Sequence, residues 1–420
     1  MKPANDAPPR YAWIVVALLV PLALLNYLDR QMLAAMKFSL MTDIPDIGSE
    51  ANWGKILALF KWTYAFLSPI GGYLADRFSR RHVIAGSLVA WSAVTWATGQ
   101  ATNYEQLLWT RAVMGVSEAL YIPAALALIA DYHLGSTRSR AVGMHQMGIY
   151  AGIIIGGFSG YAADHPELGW RWMFELCGVI GLLYAIPLYL LVRNAPAAEQ
   201  PGEPDKTSPA GALRELLGNP SFILLVLYFT LPAMAGWIVR DWMPAILKAE
   251  FGIGQGKAGV SATLYWMVAA IAAAVVGGWL ADRWMRRTQR GRIYTSAIGM
   301  VLIVIAMMGV GYSTQTGVLG VAIAFLIVFG LGWGFFDTNN MPILCQIARP
   351  HLRATGYGIM NMVSISCGGL ADWGFGILRD KAVPLLAIFG IFASVALVSV
   401  VLVLLIRPSL TDTAPAPVTH

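Results

Sequence analysis

The sequence has few charged residues and few cysteines. Only 12% of its 420 residues are charged, whereas a soluble domain carries about 25%, so the composition indicates a membrane protein. The three cysteines all lie within apolar stretches, without metal-ligand spacing or a disulfide framework. The net charge of +6 comes from bases clustered in short loops between apolar stretches, which is not typical of a nucleic-acid-binding surface. We therefore expect no nucleic-acid partner, no metal and no cofactor.

Long apolar stretches, in contrast, are abundant in the sequence. Hydrophobic residues make up 57% of the chain and the mean hydropathy is +0.61. A membrane-spanning helix needs about 20 mostly apolar residues, and twelve stretches reach this length. They cover residues 11–36, 53–75, 82–101, 106–130, 139–163, 171–192, 220–247, 258–281, 292–312, 318–347, 354–378 and 382–406. The sequence thus predicts an all-α membrane protein with twelve transmembrane helices.

A polar segment divides the predicted helices into two groups of six. Residues 194–218 are rich in proline, alanine, glycine and charge, which is typical of a linker. The predicted domains are an N-terminal six-helix bundle (1–193), a cytoplasmic linker (194–218), a C-terminal six-helix bundle (219–406) and a cytoplasmic tail (407–420). Most lysines and arginines outside the spans fall on the side of the two termini, so we expect both termini in the cytoplasm.

The two groups of six repeat each other in sequence. The matching segments are "GGYLADRFSRR" (71–81) and "GGWLADRWMRR" (277–287), "GVSEALYIP" (115–123) and "GFFDTNNMP" (334–342), and "RAVG" from Arg140 and "RATG" from Arg353. Three pairs of matching segments in the same order indicate a duplicated six-helix unit, an arrangement found in membrane transporters.

The first of these segments carries a family resemblance. "GYLADRFSRR" resembles the signature loop of the major facilitator superfamily, with Ser79 in place of the usual second glycine. "NYLDRQMLA" in span one, together with "RAVMGVSEALYIPA" in span four, is similar to the anion:cation symporters, which include sugar-acid and hexuronate transporters. The same pattern also resembles the spinster-type transporters of lysolipids and sphingolipids. The resemblance implies the major facilitator fold, with two pseudo-symmetric six-helix bundles.

The duplicated loops place charges where helices end. Asp76 and Asp282 come at the end of their spans, near the negative pole of the helix dipole, and Arg77 and Arg283 follow directly. The superfamily resemblance implies that these groups latch the cytoplasmic side shut in the outward-open state. The alternative is that the arginines only set the topology, by the positive-inside rule.

Ionisable residues inside the spans are the main candidate functional groups, because they are costly to insert into a bilayer. Asp29 and Arg30 are adjacent in span one, about 100° apart around the helix, so they point in different directions. We interpret Arg30 as the clamp for an anionic substrate, since a guanidinium binds a carboxylate with two hydrogen bonds. Glu118 in span four and Asp29 are interpreted as proton-coupling residues, and Arg111 as structural. The alternative is a permanent Asp29–Arg111 or Glu118–Arg30 bridge that holds the helices together.

Further polar residues lie in the first half and in span seven. Lys61 is expected near the depth of Arg30, where it favours anions, unless it reaches to the outer interface. His145 is expected to be a packed, hydrogen-bonded residue. Arg240 and Asp241 form either a gate salt bridge or an interfacial pair. The predicted substrate-binding residues are Arg30, Tyr27, Lys61, Tyr64, Gln146, Tyr150, Asn340 and Asn361.

Spans ten and eleven carry amides and hydroxyls rather than bases. Asp337 is the repeat mate of Glu118 and is interpreted as a third proton-coupling residue or as the partner of a nearby amide. The density of amides suits a hydroxylated ligand. Hydrogen bonds between helices are the alternative.

These patterns predict a proton-coupled symporter of a small organic anion, such as a hexuronate or aldonate, that works by alternating access. A spinster-like lysolipid or sphingolipid transporter is the alternative. No metal-ligand set, nucleophile elbow or P-loop is visible in the sequence, so an enzyme is not predicted. The expected partners are the anionic substrate, protons and the lipid bilayer, and we expect a monomer in a bacterial cytoplasmic (inner) membrane.

Overall fold

The protein is built from long helices. The computed structural model describes residues 10–133, 137–194, 209–349 and 352–408, without the side chains at positions 72, 75, 76, 209 and 210. The first helices are α1 (Arg10–Ala35), α2 (Lys37–Asp43), α3 (Glu50–Arg77), α4 (Arg80–Gly99), α5 (Tyr104–Glu118), α6 (Tyr121–Tyr132), α7 (Arg138–Asp164) and α8 (Gly169–Leu191). The others are α9 (Pro209–Leu217), α10 (Pro220–Phe251), α11 (Gln255–Met285), α12 (Gly291–Thr316), α13 (Leu319–Ile347), α14 (Arg353–Asp380) and α15 (Leu385–Leu405).

The prediction of an all-helical, multi-pass membrane protein is confirmed. Within the described ranges no strand occurs, and nine helical segments are long and apolar enough to cross a membrane. The other three predicted spans coincide with the long helices α3, α4 and α14, whose internal polar residues and glycines lower their mean hydropathy. Most of the linker (194–218) and the end of the tail (407–420) lie outside the described residues.

The chain forms two compact units. Unit 1 comprises Met1–Pro201, Ile238–Leu264 and Gly368–Ala382, and unit 2 comprises Gly202–Trp237, Tyr265–Cys367 and Val383–His420. Parts of α10, α11 and α14 therefore belong to unit 1. The division into two six-helix bundles stays a prediction.

Glycines on α7 bring it against α1 in unit 1. A Cβ atom added at Gly148 would lie 2.6 Å from the Val20 carbonyl oxygen, and one added at Gly156 would lie 2.8 Å from the Leu28 carbonyl oxygen. Gly152, midway between them, also meets the α1 backbone, at Leu24. These glycines repeat every four residues and so share one face of α7. The result is backbone-to-backbone packing that fixes α1, and with it Asp29 and Arg30, against α7.

Span four is a single helical segment, Tyr104–Tyr132, as predicted. Its helical hydrogen bonding is interrupted between α5, which ends at Glu118, and α6, which begins at Tyr121, although the two residues between them keep right-handed helical dihedral angles. Close packing of Gly115 on α3 holds the Glu118 turn in place, since a Cβ atom at Gly115 would lie 2.6 Å from the Phe60 carbonyl oxygen.

The third pair of matching segments, which begin at Arg140 and Arg353, has a structural equivalent that is displaced by two residues in the first half. The guanidinium of Arg353 donates to the carbonyls of Ala348 and Cys345 at 3.2 and 3.0 Å. Arg138 makes the matching bonds, to the carbonyls of His133 and Ala130, both at 3.2 Å. Arg138, and not Arg140, is therefore the counterpart of Arg353, because each arginine caps the carbonyl end of the preceding helix.

Candidate functional site

The adjacent charges on α1 belong to two separate ion pairs in unit 1. The Arg30 guanidinium donates from Nε to Glu118 Oε2 at 2.7 Å, and its second nitrogen lies 2.6 Å from the same oxygen. Asp29 instead pairs with Arg111 at 3.4 Å and accepts a hydrogen bond from the Thr95 hydroxyl at 2.5 Å. The turn of about 100° between neighbouring helical residues explains this divergence. Both bridges considered as the structural alternative are thus present.

The Arg30–Glu118 pair is almost completely buried. The Arg30 side chain is 9% exposed and the Glu118 side chain is 0% exposed. The second carboxylate oxygen of Glu118, Oε1, has no hydrogen-bond partner. A buried carboxylate that is only half satisfied is costly, so a change of protonation at Glu118 or a new ligand at Arg30 alters the energy of this pair.

Aromatic rings surround the Arg30 guanidinium. Its central carbon lies 4.6 Å from the ring centre of Tyr27, 4.7 Å from that of Phe60 and 4.9 Å from that of Tyr64. Rings at these distances stabilise the cation through cation–π attraction. The predicted residues Tyr27 and Tyr64 are therefore brought together with Arg30, and Phe60 joins them one helical turn before Tyr64.

A second guanidinium lies against the same tyrosine. The central carbon of Arg240 is 5.1 Å from the ring centre of Tyr27, and the backbone carbonyl of Arg240 accepts a hydrogen bond from Gln31 at 3.2 Å. Arg240 was predicted to lie at a gate or an interface, and not to bind the substrate. Its position beside Arg30 is the main feature of the site that sequence reasoning missed, because α10 lies some two hundred residues away in the chain.

Lys61 has acidic partners that were not predicted. Its amine is paired with Asp241 on α10 and with Asp372 on α14. The side chains of Lys61 and Asp372 are 3% and 0% exposed. Lys61 thus lies in a buried cluster of its own, which we call the lysine triad (Lys61, Asp241, Asp372). No sequence signal pointed to Asp372, a lone acid within the apolar segment "GGLADWGF".

The remaining predicted residues are more dispersed. His145 is buried, and its Nε2 lies 2.8 Å from the Tyr121 hydroxyl, as expected for a packed histidine. Gln146 and Tyr150 are half-buried on α7. In unit 2, Asp337 is exposed and Asn361 is half-buried.

Asn340 in unit 2 differs from its neighbours on α13. It is 2% exposed, and its amide lies within reach of the Asp337 carboxylate, three residues before it on α13. Asn339 next to it donates to the Phe335 carbonyl at 2.9 Å. The contact with Asn340 corresponds to the alternative in which Asp337 is the partner of a nearby amide.

The structure describes some but not all side chains of the two signature loops (71–81 and 277–287). The Asp76 side chain lies outside the described residues. Arg77 donates to the Tyr73 hydroxyl at 2.9 Å. Asp282 is exposed, and the Arg283 guanidinium lies 5.6 Å from the Trp279 ring centre. The latch therefore stays a prediction.

A family model that matches most of the chain decides the family. Residues 19–371 match the model of the Major Facilitator Superfamily. The chain belongs to this superfamily. The predicted fold class is confirmed, and the protein is a multi-pass membrane protein. A bacterial homologue of the human lysosomal transporter Spinster, in an inward-facing and unoccupied conformation, superposes with a TM-score of 0.77 at 20% identity, covering 95% of this chain and 96% of that one. A D-xylose-proton symporter superposes with a TM-score of 0.77 at 18% identity, covering 95% and 98%. At these identities the structures show the fold alone.

Sequence relatives include spinster proteins. Protein spinster homolog 1 of Bos taurus is 33% identical over 253 residues, covering 58% of this chain and 47% of the relative. The Homo sapiens homolog is 32% identical over 262 residues, covering 59% and 48%. The matched region thus spans about half the length of these relatives. An MFS-type efflux pump of Mycolicibacterium smegmatis is 27% identical over 392 residues, covering 90% and 87%.

Proposed function

We propose that this protein is a proton-coupled secondary transporter of an organic anion that works by alternating access. The observation that supports this most strongly is the pair of guanidiniums, Arg30 and Arg240, against the ring of Tyr27. Arginine stays charged throughout a transport cycle and binds carboxylate or phosphate groups with directed hydrogen bonds. An anion is therefore the ligand that this part of unit 1 suits best.

Glu118 supplies the link to protons. While ionised, it occupies the Arg30 guanidinium. Protonation removes its charge, weakens this pair and leaves Arg30 available for the anion. Loss of the proton on the other side of the membrane restores the pair, and Glu118 then displaces the cargo. Asp29 and Asp337 remain proposed as further proton-coupling residues, although Asp29 is engaged by both Arg111 and Thr95.

Two kinds of cargo suit the Arg30 guanidinium. The carboxylate of a sugar acid such as a hexuronate or aldonate suits its directed hydrogen bonds. A lysolipid-like anion suits the aromatic rings around Arg30, and the similarity to spinster proteins favours this class. We propose the spinster-like cargo as the stronger candidate of the two. The expected location is a bacterial inner membrane, with a monomeric protein and both termini in the cytoplasm.

Uptake by proteoliposomes tests the proposal. Labelled glucuronate, galactonate and a lysophospholipid are offered separately, with and without an inward proton gradient. We expect gradient-driven uptake of one class, and its loss in Arg30→Ala. Arg140→Ala is the matched control, because Arg140 is exposed at the start of α7. The proposal is refuted if uptake is the same with and without the gradient and is also unchanged in Arg30→Ala.

A second variant distinguishes a role in proton coupling from a role in cargo binding. Glu118→Gln mimics the protonated acid, so it should retain exchange of labelled for unlabelled cargo but lose accumulation against a gradient. Glu105→Gln, an exposed acid on the same helix, should behave as the parent. Loss of both exchange and accumulation in Glu118→Gln would instead indicate that the pair is structural.

A further inference from the structure

The lysine triad joins three helices of unit 1 around one cation. Lys61 on α3 is paired with Oδ2 of Asp241 on α10 and with Oδ2 of Asp372 on α14. The three side chains are 3%, 10% and 0% exposed. Two carboxylates thus share one ammonium in a largely buried region. Two like charges placed so close repel each other, which favours a neutral form for one of the two acids.

Asp372 is the less satisfied of the two acids. Its second oxygen, Oδ1, is buried and has no hydrogen-bond partner. Asp241 lies next to Arg240 in sequence, and its carboxylate interacts electrostatically with that guanidinium. Arg240, however, lies against Tyr27 beside Arg30, so an anion bound there competes for its charge. Asp372 has the shared Lys61 as its ion-pair partner.

The other charged groups around the triad are engaged in pairs of their own. On α1 and α5, Arg30 pairs with Glu118 and Arg111 with Asp29. On α2, Lys37 pairs with Glu50 of α3, and its amine lies 4.8 Å from the ring centre of Trp242 on α10. The charges of these groups are thus compensated by their own partners. The electrostatics of the triad therefore depend mainly on Lys61, its two acids and Arg240.

The triad lies below a tightly closed end of unit 1, where α3 begins and α14 ends. A Cβ atom at Gly54 would lie 2.9 Å from Trp373 Cα, and one at Gly376 would lie 2.9 Å from Ala51 Cα. The Asp380 carboxylate accepts hydrogen bonds from the backbone amides of Glu50 and Ala51, both at 2.9 Å. It thereby caps the first turn of α3. We call these contacts between α3 and α14 the end seam.

We propose that Asp372 is a proton-binding residue that takes up a proton when the end seam closes and releases it when the seam opens. Closure excludes water and forces both acids onto Lys61, so neutral Asp372 is favoured. Opening moves Lys61 on α3 away from Asp241 and Asp372 and lets water reach both acids, so Asp372 ionises. The proposal rests on alternating access in the proposed function, but not on the nature of the cargo or on Arg30.

Distance measurements by electron paramagnetic resonance test the proposal without cargo. Spin labels are attached to cysteines at the exposed positions Lys55 and Lys381, on either side of the end seam. The native cysteines, replaced by serine in this background, are Cys177, Cys345 and Cys367. In lipid nanodiscs the fraction of molecules with the short label distance should rise as the pH falls from about 9 to about 5. A single linked proton changes the closed-to-open ratio by up to about tenfold per pH unit.

Three variants decide whether Asp372 is responsible. Asp372→Asn should give a closed fraction that no longer depends on pH. Asp241→Asn leaves one acid for Lys61 and should also remove the dependence, which keeps the test decisive if Asp372→Asn does not fold. Asp380→Asn, the matched control, loses the charge and one of the two acceptor oxygens that cap α3, so it should lower the closed fraction at every pH while retaining the pH dependence.

Other results overturn the assignment. A closed fraction of the parent that is constant with pH contradicts it, and so does an unchanged pH dependence in Asp372→Asn or Asp241→Asn. If Glu118→Gln removes the dependence while Asp372→Asn retains it, the linked proton belongs to Glu118. Because no cargo is present, a failure of the transport assays leaves this result unaffected, and the two proposals can fail separately.

Discussion

The hydrogen bond from Thr95 to Asp29 is expected to stabilise unit 1 measurably. Asp29 is 2% exposed and accepts the Thr95 hydroxyl at 2.5 Å, whereas the arginine on its other oxygen is 3.4 Å away. Thr95→Val keeps the shape of the side chain and removes the donor. A hydrogen bond to a charged group contributes about 1.5–3 kcal/mol. We therefore expect Thr95→Val to lower the free energy of unfolding by about 2 kcal/mol.

Reversible unfolding in mixed detergent micelles measures this loss, and a double-mutant cycle assigns it. In the Asp29→Asn background the acceptor is no longer charged, so Thr95→Val should cost less than about 1 kcal/mol. Thr110→Val is the matched control, since the half-buried Thr110 donates only to the carbonyl of Leu107 on its own helix. It should change the stability by less than about 0.5 kcal/mol.

The same experiment bears on the role of Asp29. An equal cost of Thr95→Val in the parent and in Asp29→Asn would refute the view that Thr95 acts through Asp29. A large coupling energy would indicate that the Thr95 hydroxyl helps to hold the Asp29 side chain in place between α1 and α4.

Two further predictions concern packing and pH. Gly152→Val should lower the free energy of unfolding by about 3 kcal/mol, because a side chain there meets the backbone of Leu24. Gly143→Ala has open space and should not lower it in the same unfolding assay in mixed micelles. Burial lowers the pKa of Lys37 on α2 in spite of its partner Glu50, so the unfolded chain binds more protons than the folded one just below the ordinary lysine pKa, and stability should rise with pH in that range. Lys37→Met should remove this rise, and an unchanged pH dependence would contradict the assignment.

The helices were predictable because their signal is local. Twelve apolar stretches of sufficient length anticipated the long helices, and the angle between neighbouring residues anticipated that Asp29 and Arg30 point in different directions. The local interruption between Glu118 and Tyr121 was not anticipated, although Pro123 in "GVSEALYIPA" removes the backbone donor for the carbonyl four residues before it. The short helices α2 and α9 lie in segments that were assigned to loops.

The partners of the charged residues were harder to predict than the residues themselves. Arg30, Glu118, Asp29 and Arg111 lie in one half of the chain, and their pairing was among the alternatives considered. Lys61 and Asp372 are 311 residues apart, and hydropathy carries no information on such a contact. Arg240 was recognised as unusual, but its approach to Tyr27 depends on how α10 packs against α1, which a single sequence does not specify.

The glycine face of α7 has a consequence for the order of events during transport. Because the backbones of α1 and α7 touch at three successive turns, α1 cannot rotate or slide relative to α7 without separating these contacts, and Arg30 keeps its height relative to α7. In the proposed transport cycle, the Arg30–Glu118 pair then separates through rotation of its side chains and not through a shift of α1 against α7. Side-chain rotation takes picoseconds to nanoseconds, whereas movements of whole helices take microseconds to milliseconds. We therefore expect the exchange of partners at Arg30 to be much faster than the helix movements of the proposed cycle.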